Sequence, residues 1–166
     1  MAKPSRTIAV LVANPALSSV LGMVLASVPN YRVRPFESEL ALVTYMRLAP
    51  VDVVVTDFDS TNARADRVTR DLRADDAIVS QDYQVIALAS RVSTEIKDLC
   101  IAAGIDEVIV KPMSPKYLLE RITARLARRA PLKAVSPARR AAVLRPDFAR
   151  HGNVIQLFGP RPQPQG

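Results

Sequence analysis

The feature that most constrains the fold of this chain is an apolar run at residues 51–57 that ends in a carboxylate. The run reads Val-Asp-Val-Val-Val-Thr-Asp, so a single early Asp interrupts a series of β-branched residues. Such a run is typical of a strand that is buried on both faces, as the central strand of a parallel sheet is. Ligands of open parallel sheets bind beyond the carboxyl ends of the strands. The sequence therefore predicts that Asp57 lies at the functional edge of the sheet.

Short apolar runs alternate with amphipathic segments along the first 129 residues. The predicted strands are residues 7–13, 31–36, 51–57, 85–89 and 108–110, and the predicted helices are residues 16–27, 38–48, 61–73, 94–103 and 115–129. Strands that alternate with helices indicate a doubly wound α/β fold with a parallel sheet and right-handed crossovers. No Gly-rich phosphate-binding loop follows any of these strands, so the pattern does not favour a dinucleotide-binding domain.

The basic residues and the prolines are concentrated at one end of the chain. Residues 130–166 hold six Lys and Arg against one Asp, and they also hold six of the 13 prolines. This composition predicts a folded domain at residues 5–129 and a basic, Pro- and Arg-rich tail at residues 130–166 that is largely disordered.

No apolar run approaches the roughly 18 residues of a membrane span, and Cys100 is the only cysteine. We therefore expect a cytoplasmic protein without disulfides, with Cys100 packed in the core.

The predicted strand ends bring a small set of polar side chains to one edge of the sheet. They are Asp57, Ser90 and Lys111, with Asn14 after the first strand. An Asp beside a Lys suits a phosphoryl group, because the carboxylate can act as the nucleophile while the ammonium balances the charge. The alternative from spacing alone is a partly buried ion pair that only supports the sheet. We do not expect an enzyme, since the chain has no Cys–His pair or cofactor loop and its one histidine, His151, lies in the tail.

At these positions the chain resembles the receiver domain of response regulators in two-component signalling, a CheY-like domain. The resemblance covers about residues 5–129 and is carried by motifs at residues 51–57, 72–75, 85–90, 102–104 and 110–112. It implies a flavodoxin-like fold of five parallel strands in the order 2-1-3-4-5 with five helices. It also implies that Asp57 is the phosphoacceptor, that Lys111 is its ion-pair partner, and that a cis peptide joins Lys111 to Pro112. A histidine kinase or a phosphotransfer protein would supply the phosphate.

The metal-binding positions depart from the receiver pattern. Two acidic residues usually follow the first strand and help to hold Mg²⁺, but this chain has Ala13 and Asn14 there. The candidate metal ligands that remain are Asp57, Asn14 and Asp59, although loop acids such as Asp59 are mostly solvated. Because Mg²⁺ prefers carboxylate oxygens, the sequence predicts at most weak Mg²⁺ binding and no other cofactor.

The positions that sense the phosphoryl group depart from the pattern as well. The Thr or Ser that ordinarily ends the fourth strand is Ala89, although Ser90 is adjacent, and the aromatic switch residue of the fifth strand is Val108. Without Mg²⁺ the site also lacks one strong electrostatic stabiliser, and such a loss typically slows a reaction by roughly 10²–10³. We therefore expect either slow phosphorylation or signalling that does not depend on phosphate.

Two regions are candidates for contact with partners. The resemblance places a downstream protein partner on the face of the last strand and the last helix, where a second protomer could also dock. An apolar segment at residues 153–158 of the tail could bind a partner or its own receiver.

These observations support one leading hypothesis and two alternatives. The leading hypothesis is a single-domain receiver in a phosphorelay that acts through protein–protein contacts. One alternative is a pseudo-receiver adaptor that works without phosphorylation. The other is a nucleic-acid-associated regulator that uses the basic tail, which is disfavoured because the sequence has no DNA-binding motif.

Overall fold

The structure, a computed structural model, describes residues 4–128 and the backbone of residues 154–156. The strands are β1 (Arg6–Leu11), β2 (Tyr31–Pro35), β3 (Val53–Asp57), β4 (Gln84–Ala89), β5 (Glu107–Val110) and β6 (Val154–Gln156). The helices are α1 (Pro15–Ala26), α2 (Glu39–Met46), α3 (Ala65–Ala74), α4 (Thr94–Ala103) and α5 (Pro115–Arg128). Strands and helices alternate from β1 to α5, as the sequence predicts.

The strands form one sheet in the order β2-β1-β3-β4-β5-β6, and the first five strands are parallel. This confirms the predicted flavodoxin-like order 2-1-3-4-5, with β3 at the centre. All five residues of β3 are buried because helices cover both faces of the sheet. On one face the core residues of the strands pack against α2, α3 and α4, and on the other they pack against α1 and α5. The continuous apolar run of β3 reflects this burial on both sides.

The helix ends follow from local hydrogen bonds. Asn14 precedes α1, and its Oδ1 accepts from the backbone N–H groups of Ala16 and Leu17 at 3.0 and 3.2 Å. Ser93 caps α4 in the same way, accepting from Ile96 at 3.2 Å. Gly104 ends α4 with a φ of 87°, a left-handed conformation that glycine adopts without strain. The observed bounds of α1 and α4 lie within one residue of the predicted ones.

The loop between β3 and α3 is longer than the sequence predicts. The predicted helix at residues 61–73 begins only at Ala65, because Arg64 has extended backbone and forms a β-bridge with Asp57. Inside the loop, Ser60 Oγ accepts from the backbone N–H of Ala63 at 3.2 Å. Arg64 then forms an ion pair with the buried Asp66 at 2.6 Å. These contacts fix residues 58–64 against the end of β3.

A buried charge cluster joins β5 to α5. Glu107 is fully buried, and its two carboxylate oxygens accept from Nε of Arg121 and Nε of Arg125, each at 2.5 Å. Arg125 also donates to the backbone carbonyl of Asp106 at 2.9 Å. Glu107 opens β5, so this cluster joins the amino end of the strand, opposite the functional edge, to the second half of α5.

The tail contributes one element to the described structure. Strand β6 pairs antiparallel with the edge strand β5, with Val108 opposite Ile155. Part of the apolar tail segment is thus paired with the chain's own receiver, which is one of the two docking modes predicted for it. The predicted disorder of the tail, its basic residues and His151 lie outside the described residues.

Two further expectations concern burial and membranes. Cys100 is fully buried in the core, and burial raises the pKa of its thiol to about 12, as expected for a packing residue. None of the described helices is both long enough and apolar enough to cross a membrane.

Candidate functional site

Asp57 lies at the carboxyl end of β3, and its side chain is only 4% exposed. The backbone N–H of the next residue, Phe58, donates to the carbonyl of Leu88 at 2.7 Å, so the chain stays joined to β4 as it leaves the sheet. The backbone N–H of Asp59 donates to Asp57 Oδ1 at 2.9 Å. The sheet and the loop together hold this carboxylate in one position.

Lys111 directly follows β5, and its ammonium reaches back across the end of β4 to Asp57. Its backbone N–H donates to the carbonyl of Ala89 at 2.8 Å, which fixes where the side chain starts. Its Nζ lies 3.0 Å from Asp57 Oδ1 and 3.1 Å from Oδ2. The peptide bond from Lys111 to Pro112 is cis, which is the isomer that the resemblance implies.

Asp59 forms a second carboxylate contact with the same ammonium. Its Oδ2 lies 2.8 Å from Lys111 Nζ. The same oxygen accepts from the backbone N–H of Ser90 at 2.9 Å and from Ser90 Oγ at 2.6 Å. Asp59 therefore bridges the loop after β3 to the ends of β4 and β5, and its side chain remains 42% exposed.

The charges at this edge stabilise one another. Burial lowers the pKa of Lys111, but the hydrogen bonds and charges of Asp59 and Asp57 outweigh burial and raise it above its usual value. Burial likewise raises the pKa of Asp59, but the hydrogen bonds from Lys111 and Ser90 outweigh burial and lower it. Lys111 and Asp59 are therefore both charged at neutral pH.

Mg²⁺, which the resemblance implies, does not fit the side chains at this edge. Ala13 offers no ligand, and Asn14 Oδ1 already accepts from two backbone N–H groups of α1. The carboxylates of Asp57 and Asp59 share the ammonium of Lys111, so a cation of the protein's own already offsets part of their charge. Within residues 4–128 no cluster of three or more His, Cys, Asp or Glu side chains could hold a metal ion.

The positions predicted to sense the phosphoryl group are apolar and packed. Ala89 is 1% exposed and Val108 is fully buried, and both belong to the core that faces α2, α3 and α4. Neither side chain can donate a hydrogen bond or swing as a large aromatic ring would. Ser90 supplies the hydroxyl at this edge, and in the structure that hydroxyl donates to Asp59.

No protein-family model matches the sequence, and none of the curated proteins matches it either. Solved structures do resemble it. A response regulator from Thermotoga maritima is 21% identical with a TM-score of 0.63, over 74% of this chain and 98% of that one. A CheY-like receiver domain protein from Methanospirillum hungatei is 17% identical with a TM-score of 0.66, over 75% and 95%. An orphan response regulator of H. pylori is 21% identical with a TM-score of 0.62, over 75% and 99%.

The chain has the fold of a receiver domain. In this receiver fold, Asp57, Lys111, Asp59 and Ser90 meet at one edge of the sheet, whereas Asn14 serves α1 as its cap. Sequence reasoning did not foresee that Asp59 would join Lys111 to Ser90. The available signal was an acidic residue two positions beyond Asp57, where a local turn can point its side chain back toward the strand ends.

Proposed function

We propose that the chain is a receiver module of two-component signalling that accepts a phosphoryl group on Asp57 and acts through protein–protein contacts. The observation that carries the proposal is the contact of Lys111 Nζ with both oxygens of Asp57, at the carboxyl edge of a receiver fold. A histidine kinase or a phosphotransfer protein would be the phosphodonor. A downstream protein would bind the face of β5 and α5 or the tail.

The hydrogen bonds distinguish the two oxygens of Asp57 as nucleophiles. Oδ1 accepts from the backbone N–H of Asp59 as well as from Lys111, whereas among the described residues Oδ2 accepts from Lys111 alone. We assign the attack on phosphorus to Oδ2. The Oδ2–P bond forms as the donor's bond to phosphorus breaks, and the electron pair stays with the donor, whose imidazole takes up a proton. Lys111 then balances the charge on the phosphoryl oxygens.

Transfer to Asp57 is expected to be slow. The side chains at this edge do not form a Mg²⁺ site, so one source of charge stabilisation is missing. Asp59 adds a second negative charge beside the position that the phosphoryl group would occupy. Losing one strong electrostatic stabiliser typically costs roughly 10²–10³ in rate, which still permits phosphorylation.

The test is incubation of the full chain with a small acyl phosphate, followed by intact-mass measurement over time. We expect the mass of one phosphoryl group to be gained slowly by the wild type and not at all by Asp57→Asn. Asp98→Asn, which changes an exposed residue of α4, is the matched control and should behave as the wild type does. A mass gain that survives Asp57→Asn, or its absence from the wild type, would refute the assignment of Asp57 as phosphoacceptor.

A phosphorylation-independent adaptor is the second candidate. It is favoured by the contacts of Asp59, whose carboxylate engages Lys111 and Ser90, the donors that a phosphoryl group would use. An adaptor would keep the same amide hydrogen exchange in β5 and α5 with or without the acyl phosphate. A phosphate-driven receiver would instead change exchange in these elements as the mass increases.

A further inference from the structure

Three hydrogen-bond donors converge on one carboxylate oxygen beside Asp57. The backbone N–H of Ser90, its Oγ, and Lys111 Nζ lie 2.9, 2.6 and 2.8 Å from Asp59 Oδ2. One donor is an ammonium, one a hydroxyl and one a main-chain N–H, and such a set forms an anion site of the kind that binds phosphate oxygens. The three donors come from the ends of β4 and β5, so the sheet itself holds them in place.

The loop after β3 carries the Asp59 carboxylate into this set of donors. The backbone N–H of Asp59 is bonded to Asp57 Oδ1, which closes a short turn over two residues. Asp57 and Asp59 therefore approach Lys111 Nζ from neighbouring positions, at 3.0 and 2.8 Å. Asp57 is buried, whereas Asp59 is 42% exposed and can leave the donors for solvent without breaking the core.

We propose that the Asp59 carboxylate is a resident anion that stands in for the phosphoryl group of a phosphorylated Asp57. Ser90 and Lys111 are the donors that both anions would use. The inference rests on the proposed function, since it names what must leave before a phosphoryl group can be held at Asp57.

Competition between the two anions follows from charge. Lys111 provides one positive charge, and it already faces the carboxylates of Asp57 and Asp59. A phosphoryl group on Asp57 brings further negative charge into the same donors, so it and Asp59 repel each other at contact distance. Asp59 therefore has to turn outward as the phosphoryl group arrives, and its removal favours phosphorylation.

The first experiment compares phosphorylation of the full chain by acetyl phosphate in three forms, followed by intact mass. They are the wild type, Asp59→Ala and the control Asp98→Ala, which removes an exposed carboxylate from α4. We expect Asp59→Ala to gain the phosphoryl group at least about tenfold faster, since one charge at contact distance changes a rate by that order. Asp98→Ala should match the wild type. A rate for Asp59→Ala equal to or below that of the wild type would overturn the proposal.

A second experiment separates this inference from the proposed function, because it needs no reaction at Asp57. Inorganic phosphate is titrated into Asp57→Asn and into Asp57→Asn/Asp59→Ala, and the backbone amide of Ser90 is followed by NMR. We expect saturable binding at least about tenfold tighter in the double variant, where the donors are vacant. Equal affinities would overturn the resident-anion proposal. If no form accepts phosphate in the first experiment, the phosphoacceptor role fails and this titration alone decides the role of Asp59.

Discussion

Replacing Lys111 measures what the ion pair at the functional edge contributes to stability. Lys111→Gln keeps a hydrogen-bonding side chain, one bond shorter than that of lysine, but removes the positive charge. The carboxylate of Asp57, which is 4% exposed, then has no counter-charge and keeps the backbone N–H of Asp59 as a donor. Asp59 also loses a contact, but at 42% exposure it can be solvated instead.

The expected loss of stability follows from these exposures. Removing one partner of a fully buried ion pair costs about 3–5 kcal/mol, because the other charge is left buried. Lys111 is 21% exposed, so water can approach Asp57 once the ammonium is gone. We therefore expect Lys111→Gln to lower the free energy of unfolding by about 2–3 kcal/mol, just below the fully buried range.

A double-mutant cycle identifies the origin of that loss. Asp57→Asn removes the stranded charge, so adding it to Lys111→Gln should restore most of the lost stability. We expect a coupling energy of about 2 kcal/mol between the two positions. The assay is urea unfolding at neutral pH, followed by far-UV circular dichroism. The same cycle with Lys97→Gln, which changes an exposed lysine of α4, should be additive within about 0.5 kcal/mol.

Two results would contradict this reasoning. One is additivity of Lys111→Gln and Asp57→Asn, which would mean that the carboxylate and the ammonium do not interact in solution. The other is a Lys111→Gln variant at least as stable as the wild type, which would mean that Asp57 is well solvated without its partner. Either result would also weaken the role of Lys111 in holding a phosphoryl group.

The remaining predictions concern residues other than Asp57 and its hydrogen-bond partners. Glu107→Gln should lower the free energy of unfolding by about 3 kcal/mol in urea denaturation, because it strands two arginines, whereas the exposed Glu120→Gln should change it by less than about 0.5 kcal/mol. Thr56→Val should stabilise the protein by about 1 kcal/mol in the same assay, since the buried Thr56 Oγ1 has no hydrogen-bond partner among the described residues. Burial raises the pKa of Asp66, but the Arg64 ion pair outweighs burial and lowers it. The ionised carboxylate of Asp66 therefore adds to the free energy of unfolding above the unfolded pKa of 3.8, and this contribution is lost as the pH falls below that value toward the lower folded pKa. In acid unfolding, Asp66→Asn should therefore lose less of its free energy of unfolding over this pH range than the wild type does.

The fold could be predicted because local and global signals agree. The Val-rich run of β3 requires a strand covered on both faces, and the alternating helices supply that cover. Asn14 and Ser93 mark helix starts through bonds to the backbone a few residues away, which sequence alone can specify. The start of α3 could not be predicted, because it depends on a β-bridge between Asp57 and Arg64 that no local pattern encodes.

The site could be predicted only in part, and the reason is geometric. Asp57 and Lys111 follow strands whose ends must lie close together, so their contact follows from topology. The contact of Asp59 with Ser90 depends on how the loop after β3 turns, and the spacing of two residues does not fix that turn. For Asn14, by contrast, local structure decides the role, because the side-chain oxygen that a metal would need accepts hydrogen bonds at the start of α1 instead.

The charges of the side chains at the edge offset one another in part without a divalent cation. A receiver with an acidic pair after β1 gathers several carboxylates and needs a divalent cation to offset them. Here Ala13 and Asn14 carry no charge, so the carboxylates that contact Lys111 within residues 4–128 are those of Asp57 and Asp59, and one negative charge is left over. The hydroxyl and the N–H of Ser90 solvate part of that charge by donating to Asp59. A phosphoryl group on Asp57 would add further negative charge to this edge. Asp59 can relieve that excess because its carboxylate is partly exposed and can turn outward.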